Sequence, residues 1–554
     1  MSHLPESGVD SNPGTTESSG EQTADSEIQI LPRGGAREVG RSCYQVDVGH
    51  RTYLVDCGIK QGYKTQYPLF RGLKPGAVDA VFLTHAHVDH IGALPVAEQR
   101  GLLADDAPII TTRPTNALAH ILLHDSLKIH KLQSEERDEP QQFTEADVEK
   151  VLNRFEGHEY DHGSRYNLGF QFGRAGHLLG STWLALDADG KRVVFSGDLG
   201  GRSGHLPTIE DPPPADELIL ESTYGDTYTH PSLTSAKNDL YETVVEAQQQ
   251  GQPVLIPTFG IGRSQEVLQL FRERESRLSE DVGEVEIVYD GMIESSMAVY
   301  NAFATDQHVS EELLNYRINA EDPEPFVPSG ARTPRDVEDR RKLVSGQRAP
   351  VIVAPSGMLT GGWSPFYLWQ MSKHYRDAKV VFTGYQAEGT TGRDLLEEPG
   401  DVATVTVSAL MSAQEADSPD AEPPDATEGD DLAFYDTTID VPTRWLHRVD
   451  GFSGHAAAND LLEFARASEA PSVSLVHGEP ATASHLKEHI ESNADADSVA
   501  VAERGEPILV GNTGAVPDDL EQLQQRHDRL TNEMAALAQE IERLEHEWKS
   551  QQKI

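Results

Sequence analysis

Only two cysteines, Cys43 and Cys57, occur in 554 residues. That is too few for a disulfide framework, so a reducing, cytoplasmic location is the default expectation. No run of eighteen or more apolar residues is present, which leaves no candidate membrane-spanning helix and no expected membrane partner. Residues 1–27 lack an apolar stretch and read as a disordered acidic tail, not as a signal peptide. Positive charge is also scarce. Lys and Arg number 46 against 91 Asp and Glu, a formal charge of −45, and lysine is much rarer than arginine.

That balance ordinarily argues against a nucleic-acid partner, because phosphates are repelled. In molar salt, however, the screening length falls to about 3 Å and the long-range repulsion largely vanishes. An acidic, strongly hydrated surface then serves solubility, so the composition points to a halophilic, salt-accumulating source. Fold and activity are expected to persist in molar potassium chloride; losing either there would overturn the reading.

The length exceeds one compact core and predicts two to four domains, and 37% hydrophobic residues suffice to fill them. Residues 44–48 and 53–55 read as strands around a turn at Gly49-His50. Short apolar runs at 80–83, 193–195 and 217–220 each end in polar residues: a histidine cluster, Ser196-Gly197-Asp198 and Glu221. Such strands deliver a side chain at their C-terminal end, where α/β folds place their sites. Residues 116–151 are helical in pattern and highly charged.

A second α/β section follows Glu221. A helix is predicted over 235–250, then a strand at 254–256, the loop Thr258-Phe259-Gly260 and a helix from about Ser264. Strand-then-glycine loops recur after 351–354 and 380–383. Residues 412–431, rich in Ala, Asp, Glu and Pro, read as a solvated acidic insertion. From Val449 the first pattern resumes through His455 to His477, so one domain is inserted into another. Near the end, Leu520, Leu523, His527, Leu530, Met534, Leu537, Ile541, Leu544 and Trp548 alternate by three and four. That is a heptad seam, and a coiled coil over 516–551 is expected to make a homodimer; a surface helix on the chain's own body is the alternative.

The chemistry centres on Thr84-His85-Ala86-His87-Val88-Asp89-His90, four potential ligands directly after an apolar run. Zinc takes imidazole nitrogen and carboxylate oxygen. Histidines at alternate positions can point to one metal, while the following Asp and His turn toward a second. A chance cluster of solvated histidines is the alternative. Asp56, His177, Asp198 and His477, each after an apolar strand or glycine turn, weigh against it.

This run, with those strand-end residues, resembles the metallo-β-lactamase superfamily. The resemblance implies an αββα sandwich and two zinc ions per chain. His85, His87 and His177 would hold the first ion, and Asp89, His90 and His477 the second. Asp198 would bridge both, and Asp56 would orient the ligands. Paired metal ions acidify a water and stabilise attacking and leaving oxygens of an in-line displacement, which gives a hydrolase without naming its substrate.

Glu221-Ser222-Thr223-Tyr224-Gly225, then Phe452-Ser453-Gly454-His455, then the segment around His477 resemble the three motifs of the β-CASP nuclease subgroup. The resemblance implies a lactamase domain in two parts, 28–221 and 450–514, around an inserted β-CASP α/β domain, 222–449. It implies that His455 protonates the leaving 3′ oxygen while Glu221 keeps its imidazole charged, completing a catalytic set of Asp56, Asp89, Asp198, Glu221 and His455. A carboxylate partner raises a histidine's pKa, which suits a general acid. A helix N-terminal acid at Glu221 and a helix cap at His455 are the alternatives. A histidine at the third motif resembles the RNA-acting members, where DNA-acting ones tend to carry valine, so RNA is the expected partner.

Glycine-rich strand ends suit a polyanion. Pro257 through Ser264 runs from strand into helix, with Arg263 and Ser264 as candidate phosphate contacts. Ser356-Gly357 and the loop from Gly384 to Gly389 look similar; an ordinary tight turn is the alternative for each. Gly34-Gly35-Ala36-Arg37-Glu38-Val39-Gly40-Arg41 resembles archaeal homologues of the cleavage and polyadenylation specificity factor nuclease, with ribonuclease J nearly as close. The resemblance spans roughly 28–510, and no N-terminal KH module is recognisable. The expected function is a zinc-dependent ribonuclease giving 5′-phosphate and 3′-hydroxyl ends in RNA 3′-end processing or decay. A 5′–3′ exoribonuclease of the ribonuclease J type, a DNA nuclease and a non-catalytic scaffold remain alternatives.

Overall fold

A computed structural model describes residues 28–62, 64–137, 140–201, 203–411 and 432–511. The acidic tail 1–27, the insertion 412–431 and the heptad segment 516–551 lie outside the described residues.

The first strand, β1 (Ile28–Gly34), buries Ile28 and Ile30 on one face, as alternation requires. It continues antiparallel into β2 (Cys43–Val48) and β3 (Arg51–Val55). Three parallel neighbours follow: β4 (Val78–Phe82), β5 (Ile109–Thr112) and β6 (Phe155–His158). The chain then builds a second sheet from β7 (His162–Arg165), β8 (Leu168–Arg174), β9 (Thr182–Ala188), β10 (Lys191–Phe195) and β11 (Glu217–Glu221).

Beyond Glu221 the chain leaves this sandwich. It forms a parallel sheet from β12 (Val254–Pro257), β13 (Ile287–Tyr289), β14 (Val351–Ala354) and β15 (Lys379–Phe382). A long hairpin comes next, β16 (Val402–Met411) with β17 (Ala433–Pro442), paired from Val402↔Pro442 to Met411↔Ala433. The acidic segment 412–431 therefore links two paired strands. Along β16, Ala403, Val405, Val407, Ala409 and Met411 turn inward and Thr404 and Thr406 outward. Strand β18 (Leu446–Arg448) then joins the edge of β15.

The chain finally returns. Strand β19 (Ser472–Val476) inserts parallel to β11, β20 (Ser498–Val501) pairs beside it, and β21 (Ile508–Leu509) pairs with β1. Both sandwich sheets thus reach seven strands, and the β21–β1 pairing joins opposite ends of the described chain. Between them lies a shared core that includes Ile30, Val46, Tyr53, Phe82, Phe170, Phe172, Leu184 and Phe195. Phe170 stands 5.5 Å from Phe82 and 5.4 Å from Phe172, ring to ring; such pairs add about 1 kcal/mol each beyond area burial. The outer face of one sheet is covered by helices that include Leu94–Gln99, Arg113–Arg137 and Glu145–Leu152, and that of the other by Ala458–Ala467 and Pro480–Asn493. This is the αββα sandwich with an inserted α/β section.

The helical pattern over 116–151 resolves into two helices, Arg113–Arg137 and Glu145–Leu152. Thr144 caps the second, donating from its backbone N–H (2.8 Å) and its hydroxyl (2.7 Å) to the Asp147 carboxylate. Cys43 and Cys57 are buried free thiols. The Cys43 thiol beside it and burial push the Cys57 thiol well up. Among the described residues no helix is long and apolar enough to cross a membrane.

Candidate metal centre

The site sits on the strand tips of both sheets. Asp56 follows β3 in the left-handed region, φ 58°. Its carboxylate accepts from the Thr84 backbone N–H (2.8 Å), the Thr84 hydroxyl (2.8 Å) and His90 Nδ1 (2.7 Å). The His90 ring is thereby fixed with Nε2 turned away from Asp56. Gly58 lets the histidine loop close in, since a Cβ there would fall 1.6 Å from the Asp89 carbonyl oxygen.

From that loop His85 Nε2 lies 3.2 Å from His87 Nδ1, and His177 Nε2 lies 3.1 Å from the same atom. The far nitrogen of His177, Nδ1, donates to the Gly454 carbonyl at 2.5 Å, which commits Nε2 to the cluster. Asp198, just past β10, brings Oδ2 to 3.6 Å from His85 Nε2, 3.3 Å from His90 Nε2 and 3.9 Å from His177 Nε2.

His477 arrives from β19, also left-handed at φ 47°. Its Nδ1 meets the Ser42 hydroxyl at 2.6 Å, and its Nε2 lies 3.7 Å from Asp89 Oδ2. The Ser222 N–H (3.3 Å) and the Thr223 hydroxyl (3.0 Å) hold its carbonyl. A non-glycine residue in that backbone region costs about 1–3 kcal/mol, and here two such residues, Asp56 and His477, carry site side chains.

The structure therefore brings every sequence-predicted ligand together. His85, His87, His177 and Asp198 form one group with ligand atoms within 4.8 Å of one another; His90, Asp198 and His477 form another, and Asp89 lies with His85 and His90. Three buried atoms in this cluster, His90 Nε2, His477 Nε2 and Asp198 Oδ1, have no hydrogen-bond partner. A buried polar atom left unsatisfied costs about 1–3 kcal/mol, so this donor set fits a cation held among them.

Electrostatics agree for three of the histidines. Burial and neighbouring imidazoles hold His85 and His177 well below the usual histidine range, and burial takes His87 down to about 4. All three present neutral lone pairs, the form a metal needs. Burial opposes charge on His90 too, but Asp198, Asp56 and Asp89 outweigh it and raise that imidazole well above its usual value. Burial likewise pushes the Asp198 carboxyl up, yet His477, His90, His455 and His85 together hold it well below the carboxylate range.

Beside the cluster, His455 Nδ1 lies 3.1 and 3.2 Å from the two Glu221 oxygens, and its Nε2 lies 3.9 Å from Asp198 Oδ2. Glu221 is fully buried at the end of β11 and also accepts from the Leu199 N–H at 2.8 Å. No helix begins at Glu221, since the next is Leu233–Gln249 after its own cap, Ser232. Nor is His455 a cap, because Ala457 precedes the helix Ala458–Ala467. Burial lowers the His455 pKa, but Glu221 and Asp198 reverse that and bring it to about 9.

Three positioning groups were not foreseen. Ser42 orients His477, the Gly454 carbonyl orients His177, and Thr84 locks Asp56. The sole sequence signal for Ser42 was its place directly after the Gly34–Arg41 run. Replacing Ser42 with alanine is expected to weaken metal binding about 10- to 100-fold by freeing the His477 ring. Titration with a competing zinc chelator checks this, and unchanged affinity would exclude the role.

The glycine loops follow β12, β14 and β15, three neighbouring parallel strands, so their tips share one edge. Arg263 is turned inward, 3.2 Å from Glu266 and above the Phe452 ring at 5.3 Å, and Ser264 donates its hydroxyl back to Gly260 at 3.1 Å. Ser356 Oγ accepts from the Thr360 N–H at 2.8 Å. A Cβ on Gly357 would lie 3.1 Å from the Phe259 nitrogen and one on Gly384 3.9 Å from the Phe259 ring, whereas Gly389 faces open space.

Comparison with known proteins places this geometry. Residues 36–101 match the metallo-beta-lactamase superfamily model, 264–395 the Beta-Casp domain, and 438–502 the Zn-dependent metallo-hydrolase RNA specificity domain. Ribonuclease TTHA0252 of Thermus thermophilus is 32% identical over 457 residues, 82% of this chain and 93% of that protein. The chain belongs to the β-CASP family of the metallo-β-lactamase superfamily. Another β-CASP relative, transcription termination factor FttA of Methanocaldococcus jannaschii, is 30% identical over 82% of this chain and 67% of its own length. An RNase J-like protein of the same organism is 32% identical over 66% of this chain and 79% of its own.

Proposed function

We propose that this chain is a zinc-dependent ribonuclease of the cytoplasm that leaves 5′-phosphate and 3′-hydroxyl ends, acting in RNA 3′-end processing or decay. The observation that carries it is the convergence of His85, His87, His177, Asp89, His90, His477 and Asp198 beside a His455–Glu221 pair. The names of the relatives, a ribonuclease and an RNase J-like protein, support RNA as substrate.

Two zinc ions suit these nitrogen and oxygen donors. His85, His87 and His177 would hold one; Asp89, His90 and His477 would hold the other; Asp198 would serve both. Such a pair supplies an acidified water and Lewis-acid stabilisation of charge on the phosphoryl oxygens. The chain's own contribution is orientation and a proton. Asp56, Ser42 and the Gly454 carbonyl fix the rings. His455 holds a proton at Nε2 toward Asp198 while Glu221 braces Nδ1. As water oxygen gives up a proton to solvent and bonds to phosphorus, the bond to the 3′ oxygen breaks and the His455 proton passes to that departing oxygen. The phosphate stays on the 5′ end of the downstream fragment.

Metal analysis is expected to give about two zinc ions per chain, the stoichiometry of a two-metal site, with matched strands cut as RNA and not as DNA. Full cleavage by a protein stripped of metal would sink the reading. The alternative reading is 5′–3′ exonuclease action of the ribonuclease J type, and one relative is named RNase J-like. A circular RNA separates the two: only an endonuclease cuts it.

A further inference from the structure

Two of the exposed large apolar side chains among the described residues, Phe259 at 45% and Tyr385 at 57% exposure, stand on neighbouring strand tips. Strands β12 and β15 are paired in parallel, Leu255 opposite Val380. Each is followed by the same short pattern, a buried threonine and then an aromatic: Thr258-Phe259 after one, Thr383-Gly384-Tyr385 after the other. A Cβ on Gly384 would lie 3.9 Å from Cε2 of Phe259, so that ring lies across the backbone next to Tyr385.

The loops carrying them are tied down. Gln386 donates from Nε2 to the carbonyls of Gly357 (3.0 Å) and Gly384 (3.2 Å), joining the tips of β14 and β15. The Thr258 N–H donates to the Ala354 carbonyl at 3.0 Å, joining β12 to β14. The rings thus project from a cross-braced edge, which lowers the entropy lost when something flat settles on them. The edge also adjoins the cleavage centre. Arg263, at the end of the loop that carries Phe259, stands 5.3 Å from the Phe452 ring, three residues before His455, and the Tyr224 ring centroid is 6.3 Å from that of His455.

Charge narrows the occupant. A chain of net −45 repels phosphate at long range, and molar salt, where the composition points, would screen that repulsion and any local attraction alike. Affinity for a polynucleotide must then come from contacts that salt does not screen. A base face stacked on an aromatic ring is such a contact, and every base offers one once it is unpaired. In a duplex both faces are already covered.

We propose that Phe259 and Tyr385 form a stacking platform for unpaired bases of the RNA strand beside the metal centre. This rests on the ribonuclease reading for its substrate, but its test has a readout that does not need cleavage. Phe259→Trp keeps a ring at the tip and adds fluorescence there. Adding a short oligoadenylate to the metal-loaded full chain in molar potassium chloride is expected to quench that added emission. A strand of the same length built of abasic ribose phosphates is expected to leave it unchanged.

In cleavage assays Phe259→Ala and Tyr385→Ala are each expected to raise KM for oligoadenylate about tenfold with kcat nearly constant. Tyr385→Phe should restore KM, because the ring and not the hydroxyl carries the contact. Quenching without any RNA cleavage by the wild-type chain would leave the platform standing and sink the nuclease reading. Cleavage with unchanged KM in both alanine variants, or equal response to the abasic strand, would overturn the platform.

Discussion

Asp198→Ala is expected to abolish RNA cleavage, lowering kcat by more than about 10³-fold, the loss that one preorganised electrostatic contact already causes in other enzymes. The reason is geometric. Asp198 Oδ2 lies within 4 Å of His85, His90 and His177 from one side and of His455 from the other, so one carboxylate serves both halves of the cluster. Its removal leaves His90 Nε2 and His477 Nε2, both already without hydrogen-bond partners, with one fewer negative charge among them. Bound zinc is expected to fall below the wild-type amount, measured by elemental analysis of the dialysed protein. Asp198→Asn keeps the shape and removes the charge, and should lose most of the same activity. Wild-type turnover in either variant would remove Asp198 from the reaction.

The second large effect concerns the proton. His455→Ala is expected to reduce kcat about 10²- to 10⁴-fold, the range for loss of a general acid. Metal content should hold, because the Glu221–His455 pair stands beside the main ligand groups. With the imidazole pKa brought to about 9, the protonated form prevails at neutral pH, and kcat falls as pH rises through that value. The sign is fixed by its partner. Burial alone would depress the imidazole, and Glu221 is the leading influence that raises it. Glu221→Gln is therefore expected to move the alkaline limb of the pH–rate profile to lower pH, with little change in KM. An alkaline limb that stays in place would show that the acid lies elsewhere.

The ligands were legible because each sits in a local pattern: a dense histidine run, or a lone polar residue where an apolar strand stops. The strand tells the side chain where it will be delivered. Ser42 and the Gly454 carbonyl left no such trace. One is a common residue in a turn, and the other is backbone, whose partner depends on two segments more than 270 positions apart. Arg263 was singled out by its place at a helix start, but its ion partner was not: Nη1 lies 3.2 Å from Glu266 one turn on, while Nε has no hydrogen-bond partner. The pairing of β16 with β17 was hidden because the acidic residues 412–431 separate two strands that read as unrelated.

The return of the chain through β19 has a consequence for how activity is timed. On a ribosome, the segment bearing His85, His87, Asp89, His90, His177 and Asp198 emerges early, while His455 and His477 follow only after the whole insert has been made. Strand β19 must then slot beside β11, with Glu217 paired to Ser472. Until it does, the nascent polypeptide lacks His455 and His477, so the cluster closes only after the whole insert has been made.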